Sequence, residues 1–173
     1  MWTVPTLLTL TRIAAIPLIA ALFYLPIENY LRNLLATIMF VVFALTDWLD
    51  GYLARKLNQT SAFGAFLDPV ADKFLVCASL LVLVHLGRAD VLVALIIIGR
   101  EIAISALREW MAELGNRTSV AVSYVGKMKT TFQMVAITVL LLNWESLEMT
   151  GYLLLVISVV LTLWSMFIYL KAA

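Results

Sequence analysis

The sequence predicts an all-α polytopic membrane protein: a six-transmembrane-helix bundle preceded by a short N-terminal juxtamembrane segment. Three observations predict it. Hydrophobic residues make up 64% of the chain and charged residues 13%, against about half and about a quarter in soluble domains. A chain of 173 residues cannot bury that much apolar surface in one core, so the surplus faces lipid. Six apolar stretches each approach the length of about 20 residues that crosses a bilayer as a helix. The connections between them are too short for a second domain, so residues 1–173 form a single transmembrane domain.

The first stretch, Leu7 to Leu25, follows Met1 to Thr6, a segment expected to lie along the membrane surface. That N-terminus has neither the basic region nor the small-residue cleavage site of a signal peptide, so the first stretch is expected to be retained. Pro26 to Tyr30 leads into the second, Leu31 to Ala54, and Arg55 to Phe63 into the third, Gly64 to Leu86. Gly87 to Asp90 precedes the fourth, Val91 to Leu114, and Gly115 to Ser119 the fifth, Val120 to Leu142. Asn143 to Gly151 precedes the sixth, Tyr152 to Leu170.

The net charge of +1 and the absence of a long basic run exclude a general nucleic-acid binder. Cys77 stands alone inside an apolar stretch, where an inert thiol is expected rather than a reactive one. The distribution of charge orients the bundle. With the N-terminus inside, the inner loops and helix ends hold Arg12, Arg55, Lys56, Arg108, Arg117, Lys127, Lys129 and Lys171. The outer side holds Arg32 and Arg88 but also Glu28, Asp90, Glu145 and Glu148. By the positive-inside rule both termini are cytoplasmic.

Ionisable groups inside spanning segments cost a few kcal/mol or more and mark function by default. Here they cluster. Asp47 and Asp50 lie at the inner end of the second stretch, and Asp68 and Asp72 at the inner start of the third. The first pair is related by i,i+3 and the second by i,i+4, so each shares a helix face. A helical hairpin can therefore aim four carboxylates into one cleft. Four such anions repel in a low dielectric, and divalent cations resolve the repulsion. All-oxygen ligation favours Mg²⁺, Mn²⁺ or Ca²⁺ over zinc, and two ions bridged about 4 Å apart recur in phosphoryl transfer. Gly51, Ala54 and Gly64 leave the helix faces bare for a bulky ligand, and Arg55 can pair with a phosphate. The plain structural alternative has the aspartates capping helices and pairing with Arg55, Lys56 and Lys73, and Asp68 before Pro69 does read as a helix start. Four aspartates at this spacing, together with two glycines, exceed what capping requires.

The stretch Asp47-x2-Asp50-Gly51-x2-Ala54-Arg55-x8-Gly64-x3-Asp68-x3-Asp72 matches all eight fixed positions of a known signature. On it, the chain resembles the CDP-alcohol phosphotransferase family. The resemblance implies a six-helix bundle, usually a homodimer, with a dinuclear Mg or Mn site open to the cytoplasm. It implies that Asp47, Asp50 and Asp68 ligate metal and the CDP-diphosphate, within a donor site that includes Gly51, Ala54, Arg55 and Gly64. It implies that Asp72 ligates metal and acts as general base.

The acceptor alcohol must be read elsewhere. Arg100 and Arg108 lie on the fourth stretch, and Arg117, Lys127 and Lys129 surround the inner end of the fifth. Arg100 is about ten residues into its helix, roughly 15 Å from the outer end, too deep for snorkelling alone. It needs Glu101, Asp72 or another carboxylate as partner, or an anionic ligand, and a ligand-lined cavity is the favoured reading. Arg108 and Arg117 can equally serve as interface anchors, and Lys127 and Lys129 can meet lipid phosphates without specificity. A second cluster of cations suits an anionic acceptor such as glycerol 3-phosphate or inositol phosphate better than serine or choline.

Wider similarity ranks these. Arg100-Glu101-Ile102-x2-Ser105-x-Leu107-Arg108-Glu109-x6-Asn116, Gly126-Lys127-x-Lys129-Thr130-x2-Gln133, Pro5-x-Leu7-Leu8-Thr9-x2-Arg12 and the run Phe63 to Lys73 resemble the bacterial members that use glycerol 3-phosphate. Thr6 departs from the pattern, since many members carry Asn there. The resemblance implies transfer of the phosphatidyl group of CDP-diacylglycerol to sn-glycerol 3-phosphate in the bacterial inner membrane, a step toward phosphatidylglycerol and cardiolipin. It implies Arg100, Arg108, Lys127 and Lys129 as the acceptor site. The same chemistry with inositol phosphate or serine is the nearest rival. A cation transporter is the distant one, disfavoured because its carboxylates would sit nearer the midplane. His85, at the outer end of the third stretch, is expected to be far from the chemistry.

Overall fold

The computed structural model describes residues 4–56, 62–113 and 124–172, without the side chains of 4–6, 47–56, 62, 65, 108, 112–113, 124–127, 169 and 172. These residues form six α-helices and no strand: α1 (Val4–Leu22), α2 (Asn29–Lys56), α3 (Ala62–His85), α4 (Val91–Glu113), α5 (Tyr124–Leu142) and α6 (Glu148–Ala172). Residues 57–61 and 114–123, with Arg117 and the expected fourth loop, lie outside the described residues.

Two boundaries correct the sequence reading, and the start of α3 removes the alternative that Asp68 begins that helix. Val4 to Thr6 form the first turn of α1 rather than a separate surface segment; Met1–Thr3 lie outside the described residues. α3 begins at Ala62, so Asp68 and Pro69 stand within the helix and not at its start. The missing N–H of Pro69 costs one ladder bond, and the apolar turns on either side of it hold the helix. α6 begins at Glu148, earlier than hydrophobicity alone marks, because an acidic first turn suits the positive end of the helix dipole.

The chain divides into two compact units, Met1–Val82 and Leu83–Ala173. In the first, α1 packs on α2. The connecting turn tightens through i to i−3 bonds, such as Tyr24 N–H to the Ala21 carbonyl at 3.0 Å, before Pro26 stops the helix. Arg32 lies over the Phe23 ring at 5.7 Å. Ala15, Ile16, Ile19, Ala36 and Phe40 are buried, as are Leu67, Ala71 and Leu75 at helical spacing on α3.

In the second unit α6 packs on both α5 and α4. Gly87 adopts φ 71° and closes α3 with a Schellman pair: its N–H reaches the Val84 carbonyl at 3.0 Å, and Arg88 N–H reaches Leu83 at 2.8 Å. Asp90 caps α4, accepting from Leu92 N–H at 2.8 Å. Asn143, φ 56°, ends α5, and Arg88 donates to the Leu141 carbonyl at 3.0 Å, satisfying an orphan acceptor at that helix end. Gly151 lets α6 approach α5 closely: a Cβ there would sit 3.0 Å from Leu140 and Val139 side-chain carbons.

Beside its apolar core the protein buries many polar groups and exposes many large apolar ones, unlike a water-soluble protein. Thr9, Arg12, Asn33, Arg100, Lys129, Gln133, Ser158, Thr162 and Ser165 are buried, while Leu18, Leu45, Leu81, Leu95, Val160 and Phe167 are exposed. On α6 the buried face runs Gly151, Leu155, Ser158, Thr162 and Ser165, the small and hydroxyl residues that pack helices in lipid. Among the described residues two helices are long and apolar enough to cross a membrane, over Asn29–Thr46 and Glu148–Ile168. Shorter apolar helical stretches run over Leu7–Leu22 and Met128–Leu142. α3 and α4 carry the charged candidates for function, which lower their hydropathy. Cys77 is half-buried and in no disulfide.

Candidate active site

The carboxylate motif is carried by α2 and α3. α2 continues to Lys56, so Asp47, Asp50, Gly51 and Ala54 occupy a strip of about 100° along its last turns. Their side chains, with that of Arg55, are outside those described; the backbone register alone places them on one face. On α3, Gly64, Asp68 and Asp72 follow one another at i,i+4 spacing. Gly64 is buried and both aspartates are half-buried. Among the described residues no three candidate ligands form a metal cluster, Asp68 and Asp72 being the described members of the quartet. What is described fits a hard divalent cation: two oxygen donors on successive turns and no thiol or imidazole beside them.

Sequence reasoning missed the partner of Asp68. Thr9, fully buried on α1, donates its hydroxyl to Asp68 Oδ1 at 2.6 Å. Arg12, one turn further along α1, is also fully buried. Both positions belong to the motif-bearing opening of the chain, but 59 residues separate Thr9 from Asp68 and no local spacing connects them.

The basic candidates lie in the second unit. Arg100, 8% exposed, donates from Nη1 to Glu101 Oε1 at 3.0 Å and from Nη2 to Ser165 Oγ at 3.0 Å. Its Nε is buried with no hydrogen-bond partner. Lys129, 4% exposed, pairs with the same Glu101 oxygen. A carboxylate and a hydroxyl of the protein receive its two Nη groups. The sequence did offer Glu101 as a partner; that one carboxylate would hold both cations was not foreseen, since Lys129 lies 28 residues on. Ser105 donates to the Glu101 carbonyl at 2.6 Å. Gln133, one turn beyond Lys129, and Thr162, one turn before Ser165, each bury an oxygen with no hydrogen-bond partner. Arg100 and Lys129 thus share the one carboxylate of Glu101. Arg108 and Lys127 lie on α4 and α5 with side chains outside those described. His85 is the last residue of α3, away from Asp68 and Asp72 along the helix, as expected. At the turns of this unit, an open cavity of about 610 Å³ is lined by residues that include Arg88, Asp90, Glu145, Glu148 and Tyr152.

A family model described as CDP-alcohol phosphatidyltransferase matches residues 2–164. A protein of Escherichia coli K12 is 54% identical over 98% of this chain and 94% of its own length. One of Pectobacterium atrosepticum is 53% identical, with the same coverage. One of Haemophilus influenzae is 50% identical over 98% of this chain and 92% of its own. All three bear the name CDP-diacylglycerol–glycerol-3-phosphate 3-phosphatidyltransferase.

Proposed function

The chain belongs to the CDP-alcohol phosphatidyltransferase family, and from that premise we propose that it transfers the phosphatidyl group of CDP-diacylglycerol to sn-glycerol 3-phosphate. The products are phosphatidylglycerophosphate and CMP. The observation that carries this reading is identity of 50–54% along nearly the whole chain to relatives named for that reaction.

In the proposed mechanism Asp47, Asp50, Asp68 and Asp72 would hold two divalent cations, Mg or Mn, which when bound neutralise the diphosphate and the charge that develops in transfer. Gly51, Ala54 and Gly64 give the donor access to the helix backbones, and Arg55 pairs with its phosphate. Asp72 takes the proton of the glycerol 1-hydroxyl as that oxygen attacks the β-phosphorus. The bond from that phosphorus to the CMP oxygen breaks, and CMP leaves. Arg100, Arg108, Lys127 and Lys129 bind the acceptor phosphate. The unpartnered, buried Arg100 Nε supports an anion there.

All six helices would span the bacterial inner membrane, with both termini and the active site cytoplasmic and the protein a homodimer. Outward apolar side chains on every helix described and the asymmetry of Lys and Arg support the spanning arrangement and its orientation. Purified protein given CDP-diacylglycerol with radiolabelled glycerol 3-phosphate, inositol phosphate or serine should label lipid only with the first, at the mass of phosphatidylglycerophosphate. Labelling with another acceptor instead would replace the substrate, and no CMP release would remove the chemistry. With Cys77 replaced, Ser146→Cys should react with an impermeant thiol reagent from outside and Asn58→Cys should not.

A further inference from the structure

We propose that Thr9 is a positioning residue of the reaction: its hydroxyl holds Asp68 Oδ1 and so fixes the orientation in which that carboxylate meets a divalent cation. The inference rests on the reading of Asp68 as a metal ligand. It begins from how threonines in this chain use their hydroxyls. Thr11, Thr37, Thr46 and Thr138 turn theirs back on a carbonyl of their own helix, Leu8, Asn33, Val42 and Met134, at 2.7–2.8 Å. That is the ordinary use of a mid-helix threonine. Thr9 reaches from α1 to a carboxylate on α3, at 2.6 Å.

That length falls within the 2.5–2.7 Å of a charge-assisted O–H···O⁻ bond. Thr9 is fully buried, so little water competes for the contact. A carboxylate's terminal torsion is otherwise broad and two-fold, and Asp68 is only half-buried, so packing alone does not fix it. The bond from Thr9 distinguishes the two oxygens: Oδ1 is held, and its second lone pair together with Oδ2 is turned in a defined direction. The neutral donor orients the carboxylate without cancelling its charge, as a cationic partner would. Groups in this position beside a ligand typically govern metal affinity or activity by about 10- to 100-fold. Pro69 adds to the need for such a hold, since it removes a helix hydrogen bond directly after Asp68.

The test compares Thr9→Val, which keeps the shape and removes the hydroxyl, with Thr9→Ser, which keeps the hydroxyl. Mn²⁺ binding to the full-length protein in detergent, followed by electron paramagnetic resonance without substrate, is read beside the Mg²⁺ dependence of turnover. Thr9→Val should weaken Mn²⁺ binding about 10- to 100-fold, with Thr9→Ser within roughly threefold of the parent. At saturating metal the KM for glycerol 3-phosphate should be unchanged in both. Wild-type Mn²⁺ affinity in Thr9→Val would overturn the proposal, as would equal loss in the Ser variant, which would make Thr9 a packing residue. Should Thr9→Val not fold, Thr9→Ala carries the same expectation and the same overturning result. Asp68→Asn separates the premises. Normal Mn²⁺ binding there would remove the ligand role of Asp68 itself, whereas loss there with retention in Thr9→Val would remove the role of Thr9 alone.

Discussion

Asp68 in the first unit and Glu101 in the second are both partly buried carboxylates on apolar helices, yet their surroundings are opposite. Asp68 meets a neutral hydroxyl, that of Thr9. Glu101 meets two cations, Arg100 and Lys129, on one oxygen. A buried charge is tolerated when paired and hydrogen-bonded, and Glu101 meets that condition within the protein. Asp68, held by a neutral donor, keeps its charge available to an ion from outside. Under the proposed function the contrast would separate a carboxylate that receives a metal ion from one that holds two cations of the protein in place, Arg100 and Lys129.

The strongest way to break this contrast is to neutralise each carboxylate in turn. Asp72→Asn or Asp68→Asn should lower turnover by at least about 100-fold with little change in melting temperature. Near-normal rates in both would erase the distinction. Glu101→Gln should act the other way round, removing the carboxylate that pairs with two buried cations. Removal of one partner from a buried pair costs about 3–5 kcal/mol, and the lower end is expected here because Glu101 is 16% exposed. Thermal unfolding in detergent reads it; an unchanged melting temperature would sink the organising role.

Arg100→Ala sharpens the comparison further. It should raise the KM for glycerol 3-phosphate with little change for CDP-diacylglycerol, at a cost of about 1.5–3 kcal/mol, roughly 10- to 150-fold in kcat/KM. Arg100→Lys should recover part of this, since a point charge does not reproduce the planar fork that serves Glu101 and Ser165 together. If both KM values rise equally, Arg100 belongs to the framework and not to acceptor binding. The smallest effect is expected far from either carboxylate. Gly151→Ala would set a methyl 3.0 Å from Leu140 and Val139 side chains, which can yield by a few tenths of an ångström, so a loss of about 1 kcal/mol is expected by melting temperature, with kinetics unchanged.

Helices were legible because apolar runs of spanning length are a one-dimensional signal, and α2 through α4 start within two residues of the positions read from sequence. The errors arose where polarity and helicity part company. Glu148 is polar yet helical because it sits at the N-terminus of α6. Pro69 looks like a helix start but lies inside α3. In the site, the aspartates were legible because their spacing is local, within one helix each. Thr9 to Asp68 and Lys129 to Glu101 were not, because those contacts are set by which helix faces meet, and periodicity gives a face without naming its neighbour. Arg100 and Glu101, adjacent in sequence, were half legible: the partner was available, the second cation was not.

The pairing of Glu101 also bears on how the chain is made. In the proposed six-span arrangement α4 would carry an arginine and a glutamate into the apolar layer, and their partners Lys129 and Ser165 lie 28 and 65 residues downstream. During synthesis α4 therefore reaches the membrane before the residues that satisfy it exist. α6, by contrast, turns Ser158 back on its own Leu155 carbonyl at 2.7 Å and is apolar enough to enter unaided. In that arrangement the fourth helix would settle late, its firm integration waiting for the last one, and chains truncated before Ser165 should be the ones that quality-control proteases remove.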